Sequence, residues 1–278
     1  MQQILRRLSP GSTVLDLGSG PGSFDATGFP LTVVRADIAT IEHGRNFVVC
    51  SSARLPFGDH SFRAVILNHS LEHFDRLADS VSEIARVLDR GGFLYIAVPD
   101  ASTLTDRVYR WLGRGGGHVN LFSDPAAVPR MFTEATGLQH AGTRVLCTSL
   151  SFLNRRNMRA KPPRKLLLFG NGNETVIRWL TWFLRAFDRV FHGRTSVYGW
   201  AYYFGDSLAP DVTPWSNVCV CCGSADPSGL LRNTGKVIHR RFVPAVYTCP
   251  ACGGRNFFTD DEDFGHLGKI VQVSKTSP

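Results

Sequence analysis

The chain has 278 residues, enough for one large domain or for a domain with an appendage. Hydrophobic residues make up 43% of it, which excludes a disordered chain, and the sequence contains no run of 18 or more apolar residues that could span a membrane. The formal net charge of +8 favours an anionic partner, such as nucleic acid, a nucleotide sugar or a lipid surface, without choosing among them.

The first predicted element is a short buried strand that leads into a glycine-rich turn. Residues 14–17 read Val-Leu-Asp-Leu, and Gly18, Gly20 and Gly22 follow at alternate positions. Because glycine has no Cβ, such a turn lets the backbone approach a ligand closely. The residues that follow are expected to open a helix, whose free N–H groups favour a polar or anionic group. This layout predicts a nucleotide-like cofactor site in an α/β fold.

The spacing of these glycines separates two cofactor classes. A dinucleotide fingerprint places a third glycine at position 23, where this chain has Ser23. The D-x-G-x-G-x-G pattern over residues 16–22 instead resembles motif I of the class I S-adenosylmethionine (SAM) methyltransferases. An ordinary glycine turn between a strand and a helix is the alternative. The resemblance implies that the loop binds the cofactor through Asp16, Gly18, Ser19, Gly20 and Gly22.

A second strand is predicted over Leu31–Ile38, with Asp37 near its end. The resemblance implies that Asp37 accepts hydrogen bonds from both ribose hydroxyls, since a carboxylate is an acceptor for two O–H donors. It also implies that Ile38 lies at the cofactor. Asp37 lies 21 positions after Asp16, which fits a strand–turn–helix–strand unit with a short helix. A turn aspartate with no ligand is the alternative.

A third apolar run, Phe47–Cys50, leads into a segment that resembles the family's adenine-binding region. The family often has an aspartate where this chain has Ser51 and Ser52, and a serine hydroxyl accepts a hydrogen bond without charge assistance. Recognition of adenine is therefore expected to use the backbone around Ala53 and the apolar Leu55. The residues implied here as cofactor-binding are Ser52, Ala53, Arg54 and Leu55.

A fourth strand over residues 63–67 ends in the loop Asn68-His-Ser-Leu-Glu-His73. This loop resembles the one that lies beside the transferred methyl group in the family, which implies cofactor contact by Asn68. His69, His73 and the later His118 are candidate general bases, because the unperturbed pKa of histidine is near neutral. Each of the three is equally a candidate for a structural histidine.

Residues 77–88 carry apolar side chains at helical spacing, and a fifth strand is predicted at residues 93–98. The repeated order of strand, loop and helix predicts an α/β fold with a doubly wound, mostly parallel sheet. Residues 10 to about 150 resemble the type 11 group of the class I methyltransferases. The resemblance implies seven strands in this sheet.

Strands six and seven are predicted at residues 144–153 and 197–204, and in the family they form an antiparallel edge hairpin. Here a helical insertion, residues 154–195, lies between them. The expected organisation is a methyltransferase domain over residues 1–210 that contains this insertion.

The insertion begins with a basic stretch and continues with an apolar helix over residues 174–192. The helix has one narrow polar stripe, and apolar residues cover most of its circumference, so it is expected to be buried or inserted somewhere. One interpretation is a lid over the sheet edge and the substrate mouth. The other is an interfacial helix that contacts a membrane surface. The basic residues are Arg155, Arg156, Arg159, Lys161, Arg164 and Lys165.

Four of the seven cysteines form two C-x-x-C-G pairs: Cys219 with Cys222, and Cys249 with Cys252. Tight pairs of this kind place thiolates on one small metal ion, and a closed set of four cysteines is typical of structural zinc. A zinc ribbon over residues 215–258 is therefore predicted, followed by a tail over 259–278. Unrelated thiols, or a redox pair, are the alternatives. Cys221 is the spare thiol, and Cys50 and Cys147 are expected in the core.

These observations predict a SAM-dependent methyltransferase with SAM and zinc as its cofactors. The acceptor is expected to be a small molecule or a lipid- or nucleotide-linked sugar. One alternative is an RNA methyltransferase that uses the zinc ribbon and the basic surface, and another is a non-catalytic binding protein. Residues 1–7 lack the long apolar region of a secretory signal, so a cytoplasmic location, peripheral to a membrane if the helix binds one, is expected.

Overall fold

The computed structural model describes residues 1–40, 46–112, 117–158, 172–241 and 243–267. Most of the predicted basic stretch, from Arg159 to Lys165, and the tail from residue 268 onward lie outside these ranges. The strands are β1 (Thr13–Leu17), β2 (Thr32–Asp37), β3 (Phe47–Val49), β4 (Phe62–Asn68), β5 (Leu88–Pro99), β6 (His140–Cys147), β7 (Val197–Phe204), β8 (Asn217–Val218), β9 (Ala225–Asp226), β10 (Val237–Arg240), β11 (Val243–Thr248) and β12 (Arg255–Phe257). The helices are α1 (Gln2–Leu5), α2 (Leu77–Val87), α3 (Leu104–Leu112), α4 (Ala127–Thr136), α5 (Arg155–Met158), α6 (Glu174–Phe191) and α7 (Ser228–Asn233).

The main sheet has seven strands in the order β3-β2-β1-β4-β5-β7-β6. The pairings of β1 with β2 and β4, of β2 with β3, and of β4 with β5 are parallel. At the other edge, the Gly205 N–H donates to the Gln139 carbonyl and the Thr148 N–H donates to the Ser196 carbonyl, at 3.0 and 2.8 Å. The start of β6 therefore lies beside the end of β7, and the end of β6 lies beside the start of β7. These two strands are antiparallel. The predicted fold class is confirmed.

The chain folds into two compact units. The first comprises Met1–Pro99, His118–Thr143 and Trp200–Asp211. It contains the central strands β1 and β4, which are long apolar runs because a parallel sheet is covered on both faces. Leu15 and Ile66 are fully buried there.

The second unit comprises Asp100–Gly117, Arg144–Gly199 and Val212–Pro278. Ile177, from the predicted insertion, and Leu150, which precedes that insertion, share one apolar cluster with Tyr247 and with cysteines of the C-terminal segment. The compact units thus divide the chain differently from the expected 1–210 domain and 215–258 ribbon. The cluster draws on both segments, so the insertion and the cysteine-bearing segment contribute to one core.

The helix expected between β1 and β2 is absent. Residues 18–31, all of them described, form turns. Asp25 accepts a hydrogen bond from the Thr27 N–H at 2.8 Å, and Pro30 follows shortly before β2. Turn-forming residues and a proline leave too short an uninterrupted segment for a helix. A helix N-terminus is therefore not available to the ligand of the glycine loop.

Helix α6 begins directly after Asn173, the residue predicted to cap it. The side that it packs against the protein is not the apolar side that the sequence led us to expect. The Asn173 side chain accepts a hydrogen bond from the Thr175 N–H at 2.8 Å, and His192, in a left-handed conformation, ends the helix. The expectation of a helix buried by its apolar residues is wrong, because the polar stripe faces inward and several large apolar side chains are exposed. None of the described helices is long and apolar enough to cross a membrane.

Candidate functional site

A cavity of about 310 Å³ lies at the carboxyl ends of the parallel strands β1 to β4. Ligands of open α/β sheets bind at this edge. The cavity wall includes Leu17 at the end of β1, Asp37 at the end of β2 and His69 just after β4. The predicted site residues on this wall are Gly18, Asp37, Ile38, Ser52, Ala53, His69 and His73.

The glycine loop is fixed by two carboxylates. Asp16 is fully buried and accepts a hydrogen bond from the Ser23 N–H at 2.9 Å. Burial raises the pKa of Asp16, and the hydrogen bond from Ser23 and the Arg35 charge oppose that rise. Asp37 accepts a hydrogen bond from the Gly20 N–H at 2.8 Å. Asp16, Ser19, Gly20 and Gly22 thus shape the loop and do not line the cavity wall themselves.

The part of the cavity predicted to hold adenine is formed by Ser52 and Ala53. The Ser52 hydroxyl is hydrogen-bonded to the Ser80 hydroxyl at 2.8 Å. Leu55 is buried, and its N–H donates to the Glu83 carboxylate at 2.7 Å, so its side chain is a core residue and is not on the wall. Arg54 and Asn68 also lie outside the wall.

Three histidines and one glutamate lie close together, and two of them, His69 and His73, are on the cavity wall. His69 Nδ1 lies 3.8 Å from the buried carboxylate of Glu72. The rings of His73 and His118 are 5.1 Å apart, and the donor atoms of Glu72, His73 and His118 all lie within 4.8 Å of one another. Two imidazoles and a carboxylate form a donor set that can pass a proton or hold a divalent cation.

The loop that carries His118 is fastened against this cluster. The N–H groups of Val119 and Asn120 donate to the Glu72 carbonyl at 2.8 and 3.0 Å. Burial lowers the pKa of His69 to about 4, and the neighbouring imidazoles of His118 and His73 contribute to this shift. At neutral pH His69 is therefore uncharged and acts as a hydrogen-bonding group, which leaves His73 and His118 as the candidates for proton transfer.

Several residues of the cavity wall were not predicted. Most of them follow β4, where a 3-10 turn over Leu71–His73 folds the loop back onto the cavity. The sequence signal that could have identified these residues is their position close to the predicted His69 along the chain. The additional wall residues are Leu17, Cys50, Ser51, Ser70, Phe74, Asp75 and Arg76.

The structure brings the two predicted cysteine pairs together. The sulfur atoms of Cys219, Cys222, Cys249 and Cys252 all lie within 4.8 Å of one another. The Sγ–Sγ distances are 3.6 Å for Cys219 to Cys252 and 3.8 Å for Cys222 to Cys249. A tetrahedral ion with Zn–S bonds of about 2.3 Å separates its sulfur ligands by roughly 3.8 Å. The four thiols therefore fit one zinc ion.

The backbone around the two pairs repeats the same hydrogen bonds. The Gly223 N–H donates to the Cys219 carbonyl and the Gly253 N–H donates to the Cys249 carbonyl, each at 2.9 Å. Burial raises the pKa of the Cys249 thiol, but hydrogen bonds from Ser224 and from nearby backbone N–H groups outweigh it and bring the pKa to about 7. The thiolate is the form that binds a metal, so this shift favours Cys249 as a ligand, whereas burial raises the pKa of the Cys222 and Cys252 thiols.

Comparison with known proteins places this cavity in a family. Residues 15–96 match the family described as a methyltransferase domain. Malonyl-[acyl-carrier protein] O-methyltransferase of Methylococcus capsulatus is 30% identical over 185 residues, which cover 57% of this chain and 67% of that protein. The chain belongs to the class I SAM-dependent methyltransferases. The matched family segment ends before the cysteine pairs.

Two further proteins are similar to this methyltransferase. Probable tRNA methyltransferase 9B of Mus musculus is 34% identical over 107 residues, which cover 35% of this chain and 24% of that protein. The chain thus spans about a quarter of the length of that relative. A structure of phosphoethanolamine N-methyltransferase 2 of Haemonchus contortus with SAM has a TM-score of 0.46 and 16% identity, over 74% of this chain and 52% of that chain.

Replacement of Asp37 by alanine is expected to weaken SAM binding by about tenfold or more. The carboxylate lies on the cavity wall, and hydrogen bonds to a charged group contribute about 1.5–3 kcal/mol each. Isothermal titration with SAM measures the change.

The matched control is Asp25→Ala. Asp37 accepts a hydrogen bond from the Ala39 N–H, two residues on, and Asp25 accepts the same local bond from Thr27. Asp25 lies outside the cavity wall. If Asp37→Ala and the wild type bind SAM with equal affinity, the role of Asp37 is only to stabilise this local turn, and it does not bind the cofactor.

Proposed function

We propose that this methyltransferase transfers the methyl group of SAM to a small-molecule acceptor or to a lipid- or nucleotide-linked sugar. The observation that carries the proposal is the cavity itself, whose wall contains Gly18 and Asp37 together with His69 and His73. Bound SAM supplies a methyl group that is already activated as a sulfonium. The protein's task is therefore mainly to position the two reactants.

The residues of the cavity wall have different tasks in this proposal. Asp37 and the loop around Gly18 hold the cofactor, and Ser52 and Ala53 border the adenine. A hydroxyl acceptor or a protonated amine must also lose a proton. His73 is on the cavity wall and His118 is its ring neighbour, so this pair is suited to take that proton.

Zinc belongs to the same proposal. Cys219, Cys222, Cys249 and Cys252 would hold one ion in a closed, structural site, with no position left for substrate. Thiolate ligands need reducing conditions, so the proposed location is the cytoplasm.

RNA methylation is the second candidate function. It is supported by the similarity to a probable tRNA methyltransferase and by the excess of basic residues. The names of other relatives point elsewhere, to demethylmenaquinone and to a malonyl group on a carrier protein. Because phosphate contacts release counterions, RNA binding should weaken steeply as salt rises, whereas binding of a small acceptor should not.

The acceptor can be found by incubating the protein with methyl-labelled SAM and a cell extract. Label in the lipid or small-molecule fraction supports the proposal, and label in RNA supports the second candidate. Isothermal titration with SAM accompanies the assay. A protein that binds no SAM and labels no fraction would be a binding protein that uses this fold without catalysis.

A further inference from the structure

Helix α6 is held by a buried polar face. Asp188 is fully buried, and its carboxylate accepts four hydrogen bonds, from the N–H and hydroxyl groups of Thr195 and Ser196, at 2.6 to 2.9 Å. The buried Arg185 guanidinium donates to the carbonyls of Thr148 and Val218, at 3.1 and 3.3 Å. Such a network fixes the rotation of the helix about its own axis.

The polar contacts explain why the apolar side of α6 faces outward. If the helix turned its apolar side inward, Thr195 and Ser196 would lose the carboxylate that their buried N–H groups use. A buried donor without an acceptor is costly, so the observed rotation is the stable one. The buried polar contacts therefore keep the apolar face of α6 on the outside of the second compact unit.

Six large apolar side chains form one stripe along this outward face. They recur every three or four residues, so they lie on one side of the helix. Phe183, Val190 and Phe191 are 59, 62 and 67% exposed. A helix of 18 residues is about 27 Å long, and a continuous apolar surface of that length marks an interaction site. The stripe consists of Val176, Trp179, Phe183, Phe187, Val190 and Phe191.

Charge indicates what covers the stripe. Residues 154–199 contain ten Lys or Arg residues and two acidic residues, Glu174 and the buried Asp188. Their net charge of +8 equals that of the whole chain, so the remaining residues are neutral in sum. Arg189 and Arg194 have acidic neighbours outside this range at 3.3 and 3.7 Å. The excess of positive charge is thus concentrated in the stretch of sequence that contains α6.

We propose that α6 is an interfacial helix that places this stripe in the headgroup region of an anionic membrane. Aromatic side chains on one face, arginines such as Arg178 and Arg189 on the same helix and no acidic residue within the stripe are the features of helices that lie in the plane of a membrane. The negative surface potential of an anionic leaflet attracts the basic segment, and burial of the stripe supplies the rest of the binding energy. The inference needs no assumption about the methyl acceptor.

Flotation of the full-length, zinc-loaded protein with lipid vesicles tests this inference. The vesicles are phosphatidylcholine with phosphatidylserine, and pure phosphatidylcholine is the comparison. We expect binding to the anionic vesicles, weaker binding as salt rises, and much weaker binding to the neutral ones. The double variant F183Q/F187Q should bind the anionic vesicles about tenfold more weakly or worse, because two apolar side chains no longer insert.

The matched control is L104Q/L230Q. Leu104 and Leu230 are helical residues of the same unit, and both are 48% exposed, as is Phe187. This variant should bind vesicles like the wild type. SAM titration on all preparations verifies folding and separates this test from that of the proposed function.

Two results would overturn the inference. One is the absence of flotation, or equal flotation of F183Q/F187Q and the wild type. The other is self-association of the wild type, seen by light scattering and removed by F183Q/F187Q, without binding to lipid. That result would assign the stripe to a contact between two copies of this chain.

Discussion

Replacement of Gly20 by valine is expected to abolish SAM binding and to leave the fold intact. Gly20 has a φ of +50°, a left-handed conformation in which a branched side chain is strained. Its N–H holds the Asp37 carboxylate at 2.8 Å, so a loop that moves to relieve the strain also displaces Asp37 from its place on the cavity wall. No atom lies within 4 Å of the added Cβ, so the expected effect comes from backbone strain and not from a collision of that atom.

The measurement is isothermal titration with SAM, together with thermal unfolding. The dissociation constant should rise by about a hundredfold or more, which corresponds to roughly 2.7 kcal/mol. The control is Gly28→Val, because Gly28 has a φ of +88°, also has no atom within 4 Å of an added Cβ, and lies away from the cavity wall. Normal SAM affinity in Gly20→Val, or an equal loss in Gly28→Val, would contradict the role assigned to this loop.

The seven strands of the main sheet could be predicted because each contains an apolar run bounded by polar or turn residues, whereas β8 to β12 were not predicted. The strand predicted at 144–153 lies earlier in the chain, at His140–Cys147. The prediction for β7 has the bounds that the structure shows, Val197–Phe204. The helix predicted between β1 and β2 failed because the pattern of the family was applied to a segment rich in turn residues. Helix α3 (Leu104–Leu112) was not predicted.

The rotation of α6 could not be predicted from the sequence. Periodicity separates a polar stripe from an apolar one and does not say which of them faces the protein. What decides it is the set of partners for Thr181, Arg185 and Asp188. Those partners include Thr148 and Val218, more than 30 positions away from Arg185, and they are known only from the fold.

Some residues of the cavity could likewise be predicted from the sequence, and others could be placed only once the fold was known. Gly18, Asp37 and His69 were predicted from the resemblance to the family. The structure places each of them at or directly after the end of a parallel strand, and these strand ends meet at one edge of the sheet. Leu55 was assigned to adenine by its apolar character alone. Its backbone bond to Glu83 turns it toward the core, which no local pattern indicates.

Removal of zinc is expected to unfold the cysteine-bearing segment and to leave SAM binding unchanged. We expect one zinc ion per chain by elemental analysis, since four sulfur atoms lie within 4.8 Å of one another. Structural zinc in small domains contributes about 10–16 kcal/mol to folding. The apolar cluster around Tyr247 includes Cys219 and Cys249, so chelation should remove the hydrogen-exchange protection of β11 and loosen Ile177 in α6.

Substitutions of two neighbouring cysteines distinguish the effect of losing a zinc ligand from the effect of altered packing. Cys222 is exposed, so Cys222→Ser removes a ligand and almost no packing. Cys221 is buried and lies outside the group of four sulfur atoms, so Cys221→Ser changes packing and keeps the ligands. We expect Cys222→Ser to lose zinc and the protection of β11, and Cys221→Ser to keep both.

The wall of the SAM cavity belongs entirely to the first compact unit, and the four cysteines belong entirely to the second. SAM affinity should therefore be equal in chelated protein, in Cys222→Ser and in the wild type. Purified protein with well under one zinc per chain and fully titratable thiols would contradict the metal site. Loss of SAM binding on chelation would show instead that the zinc-bound segment supports the methyltransferase cavity, and that the two units are not independent in stability.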